Sequence, residues 1–185
     1  MPSPIAHLAA GYAIYMACRP DPHSPIREAI RSRADLTLPL IVGALSLLPD
    51  LDSVIGLFAG DFARFHNNAT HSLIVGLVIA ITFAIIGSWG RLASFRSLFL
   101  IGLLAYESHV VMDGLTTGRG VMAFWPLTTD RFQSPLILFY GFHWSDGLSS
   151  YRHFWTILTE SIFAAVVITL VSAKFAQRRR EGSAG

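Results

Sequence analysis

Ser72 to Gly90 is a run of 19 residues without a charge. About 20 apolar residues cross the hydrocarbon core of a bilayer, so this stretch either spans a membrane or is buried from end to end. Two other runs are comparable. Leu98 to Tyr106 is uncharged and continues through Val110, Val111 and Met112, interrupted by Glu107 and His109. Ser161 to Ala173 is uncharged and extends back through Trp155 to Glu160. Ile5 to Cys18 and Leu36 to Leu48 are shorter, each covering roughly 20 Å as a helix. Composition decides between membrane and buried core. Hydrophobic residues make up 52% of the 185 and charged residues 14%, with a mean hydropathy of +0.51. A soluble domain carries about 25% charged residues to cover its surface. This chain has too few, which implies a second, apolar solvent.

The expected architecture is all-α: a multi-pass membrane bundle of about five helices, near 4–18, 35–48, 71–90, 93–114 and 154–176. Residues 1–176 form one domain, followed by a basic, disordered tail at 177–185. Pro49 should end or kink the second helix at Leu48. No basic residue precedes the first apolar stretch, as a secretory signal requires, so that stretch is expected to stay as a helix. Residues 19–34 hold Pro20, Pro22, Pro25 and four arginines and read as a loop, with a short helix at 25–33. The long segment 115–153 holds Phe124, Trp125, Phe132, Phe139, Tyr140, Phe142, Trp144 and Tyr151. Two readings of it stand: aromatics lying at the headgroup level, or aromatics packing a loop onto the helices.

The formal charge of +2 does not point to nucleic acid. The basic residues cluster between apolar runs and are not interleaved with aromatics. Cys18 is the sole cysteine, so there is no intrachain disulfide and no CxxC motif.

Alternating the five helices across a bilayer sorts the basic residues. One face receives Arg19, Arg27, Arg31, Arg33, Arg91, Arg96, Lys174, Arg178, Arg179 and Arg180, and the other Arg64, Arg119, Arg131 and Arg152. The ten-to-four split makes the first face, with the C-terminus, cytoplasmic. The second face is then periplasmic. His7, Asp50, Asp52, His66, His71, His109 and Asp113 all fall on it. Seven candidate metal ligands from four segments converge at one end of the bundle.

His109 and Asp113 are spaced i, i+4, on one side of a helix. Imidazole and carboxylate suit zinc, and also manganese or iron. Asp50 and Asp52 follow a helix end between apolar runs, where unpaired carboxylates are costly. Between His66 and His71, Thr70 is placed to cap the third helix. His23 lies on the basic face and reads as solvated, while His143, Asp146 and His153 are weaker candidates on the site's face. Glu107 and Glu160 sit within apolar helix ends, as partners, ligands or acid/base groups. Seven ligands are too many for one tetrahedral zinc, so of one or two ions two fit better.

These motifs in order, Leu48-Pro49-Asp50-Leu51-Asp52, then His66 to Ser72, then Ser108 to Asp113 with Thr116-Thr117-Gly118, resemble the YdjM-like family of LexA-regulated, inner-membrane, metal-dependent hydrolases. The resemblance covers roughly residues 1–130. Asn67 and Asn68 depart from it, where a basic residue or glycine is expected. The His-x3-Asp element is also similar to part of the ligand set of zinc-dependent phospholipases C. The resemblance implies a membrane-embedded, metal-dependent hydrolase acting on a lipid or lipid-linked phosphoester, with Asp50, Asp52 and Glu107 as catalytic carboxylates and Trp125 near the acyl chains. The alternatives are an ion or metal transporter, or a membrane protein with a structural metal. Neither His-Glu-x-x-His nor Gly-x-Ser-x-Gly occurs, which argues against a protease.

Overall fold

A computed structural model describes residues 2–18, 34–60, 65–142 and 150–183. The helix expected at 25–33, His23, Arg64, His143, Trp144 and Asp146 lie outside the described residues. The elements are α1 (Pro4–Cys18), α2 (Ala34–Leu47), a 3-10 turn (Leu48–Asp50), α3 (Leu51–Phe58), a second 3-10 turn (Ala69–His71), α4 (Leu73–Trp89), α5 (Phe95–Gly114) and α6 (Tyr151–Ser183). No strand occurs among the described residues, so the all-helical expectation holds.

Among the described residues, three helices are long and apolar enough to cross a membrane: Thr37–Gly56, Phe95–Gly114 and Tyr151–Gln177. Pro4–Cys18 and Leu73–Trp89 are shorter apolar helices. The sequence had ranked these differently. Pro49 interrupts the second helix as expected: α2 ends at Leu47, Pro49 sits inside the 3-10 turn Leu48–Asp50, and helix then resumes to Phe58. Proline is tolerated in that first turn because its missing N–H has no partner to lose there. The rod thereby gains the length that Leu36 to Leu48 lacked. Conversely, the 19-residue run yields a helix of only 17 residues, because Ser72 caps its start, accepting from the Ile74 amide at 3.2 Å. Ser72 takes the capping role expected of Thr70. At the other end α6 stays helical to Ser183, through most of the segment expected to be a tail.

Small residues set the packing. Gly76, Ala80, Ala84 and Gly87 form a buried stripe along α4 that lets α5 approach closely. A Cβ on Gly102 of α5 would stand 2.8 Å from the Phe83 ring. Gly102→Val is therefore expected to destabilise the protein by about 1–3 kcal/mol through overpacking. Gly114→Ala, where a Cβ meets nothing within 4 Å, should be nearly silent. Thermal melts of the two variants in one detergent check the contrast.

The segment after α5 is folded back on itself. Val121 and Phe132 exchange backbone hydrogen bonds of 3.0 and 2.9 Å, and Leu138 donates to Leu115. Its aromatics divide between the two readings. Phe139 is buried and packs edge-on against Phe163 of α6. Phe124, Trp125, Phe132 and Tyr140 remain exposed. The segment covers the end of the bundle where α1, α4 and α6 begin and α2 and α5 end.

Candidate metal centre

Four donor atoms meet at that end: Asp50 Oδ1, His71 Nε2, His109 Nε2 and Asp113 Oδ2. His71 Nε2 lies 3.1 Å from Asp113 Oδ2 and 3.3 Å from His109 Nε2. His109 Nε2 lies 3.5 Å from Asp50 Oδ1 and 3.8 Å from Asp113 Oδ2. His71 Nε2 is 3.8 Å from Asp50 Oδ1. A tetrahedral ion with arms of about 2.0–2.1 Å needs edges of about 3.3–3.4 Å. The observed edges bracket that value, so this buried cluster could hold a metal ion.

Local structure explains the convergence. One turn of α5 separates His109 from Asp113, which puts both on the buried side. Residues two apart on a regular helix point to opposite sides, yet Asp50 and Asp52 both reach His66 Nδ1, at 3.7 and 3.2 Å. They fall at the passage from the 3-10 turn into α3, where the winding changes. His71 is delivered by the second 3-10 turn. Tyr106, one turn before His109 on α5, donates to the Thr70 carbonyl at 2.5 Å and pins that turn.

The surrounding groups fix which nitrogens face inward. His109 Nδ1 lies 2.7 Å from the Ser46 carbonyl. A carbonyl only accepts, so Nδ1 carries the proton and Nε2 presents a lone pair to the cluster. His71 Nδ1 lies 3.2 Å from Asp52 Oδ2, which leaves its Nε2 facing the same point. Thr70 Oγ1 also donates to Asp52 Oδ2, at 2.7 Å, and Ser53 Oγ lies 2.8 Å from His66 Nδ1. Burial pulls the His71 pKa down, but the neighbouring carboxylates of Asp113 and Asp52 outweigh it and push the ring up to about 9. Without a cation, His71 itself supplies the positive charge among the carboxylates.

Buried polar atoms lack hydrogen-bond partners at this point: Asp50 Oδ1, both Asp113 oxygens and both His7 nitrogens. Such atoms are expensive when desolvated and unpaired. A divalent cation satisfies several of them at once, so the residues present fit a metal. His7 stacks on His109, with centroids 3.6 Å apart and planes 13° apart, and its Nε2 lies 3.6 Å from Asp113 Oδ1. It borders the four-donor group without belonging to it. A second group, Asp52, His66 and His71, shares His71 with the first.

The remaining carboxylates lie elsewhere. Glu107 faces the position of the missing Cβ of Gly76 on α4, and among the described residues no hydrogen bond or ion pair joins it to the donors. Glu160, wholly buried on α6, accepts from the Ser3 amide at 2.6 Å. It therefore sits at the positive end of α1. His153 is buried on α6 against Phe142. Sequence reasoning missed Tyr106, Ser46, Ser53 and two arginines, Arg119 and Arg131, that grip the His66 to Asn68 stretch. Only Tyr106 had a visible signal, its spacing of three from His109.

The chain is 36% identical over 95 residues to the inner membrane protein YbcI of Escherichia coli (strain K12). That match takes in 49% of this chain and 54% of the relative, so the chain spans about half the length of the curated relative it matches. No solved structure matches it. The profile of the YdjM inner membrane protein family matches residues 1–180, nearly the whole chain and every residue of the cluster, and the chain belongs to that family.

Proposed function

We propose that this protein is a membrane-embedded, metal-dependent hydrolase that acts at the non-cytoplasmic face on a lipid or lipid-linked ester. The observation that carries the proposal is the asymmetry of the donor set. His71, His109 and Asp113 have no side-chain exposure, whereas Asp50 is 14% exposed. Two histidines and a carboxylate with a fourth position towards the rim is the pattern of catalytic zinc. A divalent ion in that set polarises a scissile ester and acidifies water. Zinc fits the edge lengths best. One ion is the simpler occupancy, because a neutral imidazole serves one metal and the two groups share His71.

Roles follow from contacts. Asp52 is engaged by His71 and Thr70, with His66 beside it, and acts as the group that orients His71. Asp50, nearer solvent than the other three donors, is the one that water could displace from the ion, and then serves as the candidate general base. Glu107, turned into the α4–α5 contact, has no place in this reaction. The non-cytoplasmic placement rests on the ten-to-four arginine and lysine split. A second reading, a purely structural ion, is favoured by the count of four protein donors, which closes a tetrahedron.

The test pairs metal analysis with a hydrolysis screen over a lipid extract, run on purified wild type and on Asp50→Asn. The proposal expects Asp50→Asn to keep most of its metal and lose at least about 100-fold in turnover, the scale of one acid/base group. A wild type that holds metal and consumes no lipid establishes the structural reading instead.

A further inference from the structure

The other end of the bundle, where α1 finishes, holds a cavity that the metal chemistry does not use. At the metal end α1 and α6 are held together. Glu160 accepts from the Ser3 amide at 2.6 Å, and Phe163 packs against the cluster of Ala6, Met112 and Phe139. Towards the far end a cleft of about 360 Å³ opens between the two helices. Ala13, Ile14 and Ala17 of α1 line it, with Val171, Lys174 and Phe175 of α6. Its size falls among small-ligand sites, which run from about 300 to 1,000 Å³. Lys174 is the one charge in its walls.

Lys174 is also the first charge after the uncharged run Ser161 to Ala173, and it sits in the last turn of the candidate span Tyr151–Gln177. A lysine at that place reaches headgroup depth, with its apolar stem along the hydrocarbon. Its side chain is exposed, and among the described residues no hydrogen bond or ion pair engages it. The next carboxylate along α6, Glu181, is about two turns further on and accepts from Gln177 at 2.9 Å. An ammonium has three donors and no acceptor, so the group that completes this one is an anion. An apolar cleft with a single unpaired cation in its wall suits an anionic amphiphile. A free anion would leave the apolar walls bare, and an uncharged amphiphile would leave the ammonium unpaired.

We propose that the α1–α6 cleft holds an acyl chain of an anionic phospholipid from the leaflet opposite the metal centre, with the lipid phosphate on the Lys174 ammonium. Basic pockets between membrane helices take acidic headgroups in this way. The site uses none of the metal donors and stands whether or not the protein is a hydrolase.

Native mass spectrometry of the full chain in detergent reads lipid retention and oligomeric state together. The probes are phosphatidylglycerol, phosphatidylcholine of the same chains, and inorganic phosphate. Wild type should bind phosphatidylglycerol about fivefold tighter than phosphatidylcholine, the share of one lysine beside an acidic headgroup, and should retain no inorganic phosphate. Lys174→Gln should erase that preference and leave phosphatidylcholine binding unchanged, while Lys174→Arg should keep it. Ala17→Phe builds a ring into the cleft and should weaken both lipids at least about tenfold, the loss of two buried methylenes. Ala17 and Lys174 are both exposed, so the variants should melt at the wild-type midpoint. A preference that survives in Lys174→Gln overturns the headgroup assignment. Lipid binding unchanged in Ala17→Phe overturns the cleft. Inorganic phosphate held as tightly as phosphatidylglycerol overturns the lipid. A wild-type dimer that Ala17→Phe splits, with lipid binding unchanged, gives the cleft to a second copy of this chain and overturns the lipid as well.

Discussion

His109→Ala is expected to remove the bound metal, lowering affinity for a divalent ion by more than about 100-fold, beyond the 10–100-fold that an orienting partner contributes. His109 Nε2 forms three of the five short edges of the donor set, and its Nδ1 is fixed by the Ser46 carbonyl. Truncation removes a donor, leaves that carbonyl without its partner and takes the stacking surface from His7. Asp113→Asn should do nearly as much, since Asp113 carries two buried oxygens without hydrogen-bond partners. Asp52→Asn should fall in the 10–100-fold range, because it leaves all four donors in place. Elemental analysis of purified protein reads all three against His153→Ala, a buried histidine of α6 outside the four-donor set. Wild-type metal content in His109→Ala would remove the centre from consideration.

Chelation is expected to destabilise the protein as strongly. The carboxylates Asp50 and Asp113 offer oxygens to one cluster in which all donor atoms lie within 4.8 Å, and Asp52 stands behind His71. Without a dication only protonated imidazole offsets them, and like charges at that spacing repel. At a thousandfold excess over Kd, a ligand specific to the folded state contributes about 4 kcal/mol. For a chain of this size that corresponds to a fall in melting temperature of about 8–16 °C on removal. Melts with and without a chelator measure it. Zinc or manganese should restore the original midpoint and magnesium should not, because two imidazoles are poor magnesium ligands. A midpoint indifferent to chelator would mean that the cluster is held together by its own hydrogen bonds.

Much of this could be read from the sequence. Uncharged runs located α1, α2, α4, α5 and α6 but not α3, and the alternation of those helices sent His7, Asp50, Asp52, His66, His71, His109 and Asp113 to one end. What hydropathy could not show was winding. The passage through the 3-10 turn at Leu48–Asp50 turns two carboxylates towards one histidine and carries the helix past Pro49. Neither effect has a signature in apolar periodicity. Nor could spacing divide labour among the ligands. Asp50 and Asp52 are equivalent in the motif, yet one joins the donor set and the other holds His71 from behind. Glu107 looked catalytic because it interrupts an apolar run, but its place on α5 turns it towards Gly76. Arg119 and Arg131 were counted only as charges for topology, because their bonds to the His66 and Asn67 carbonyls join residues far along the chain.

The bond from Ser3 to Glu160 joins residues 157 positions apart, and this fixes an order of assembly. Chains emerge from the ribosome N-terminus first. His7 is therefore made long before α6 exists to hold the start of α1 in place. Asp50, His71, His109 and Asp113 can assemble as soon as α5 has entered the bilayer, but the anchor beside them arrives only with the last helix. A metal captured during synthesis would meet an unfinished cage, open on the side where α1 and α6 later close. Faithful loading thus belongs to the completed protein, and a chain truncated before Glu160 should accept ions with less discrimination than the whole.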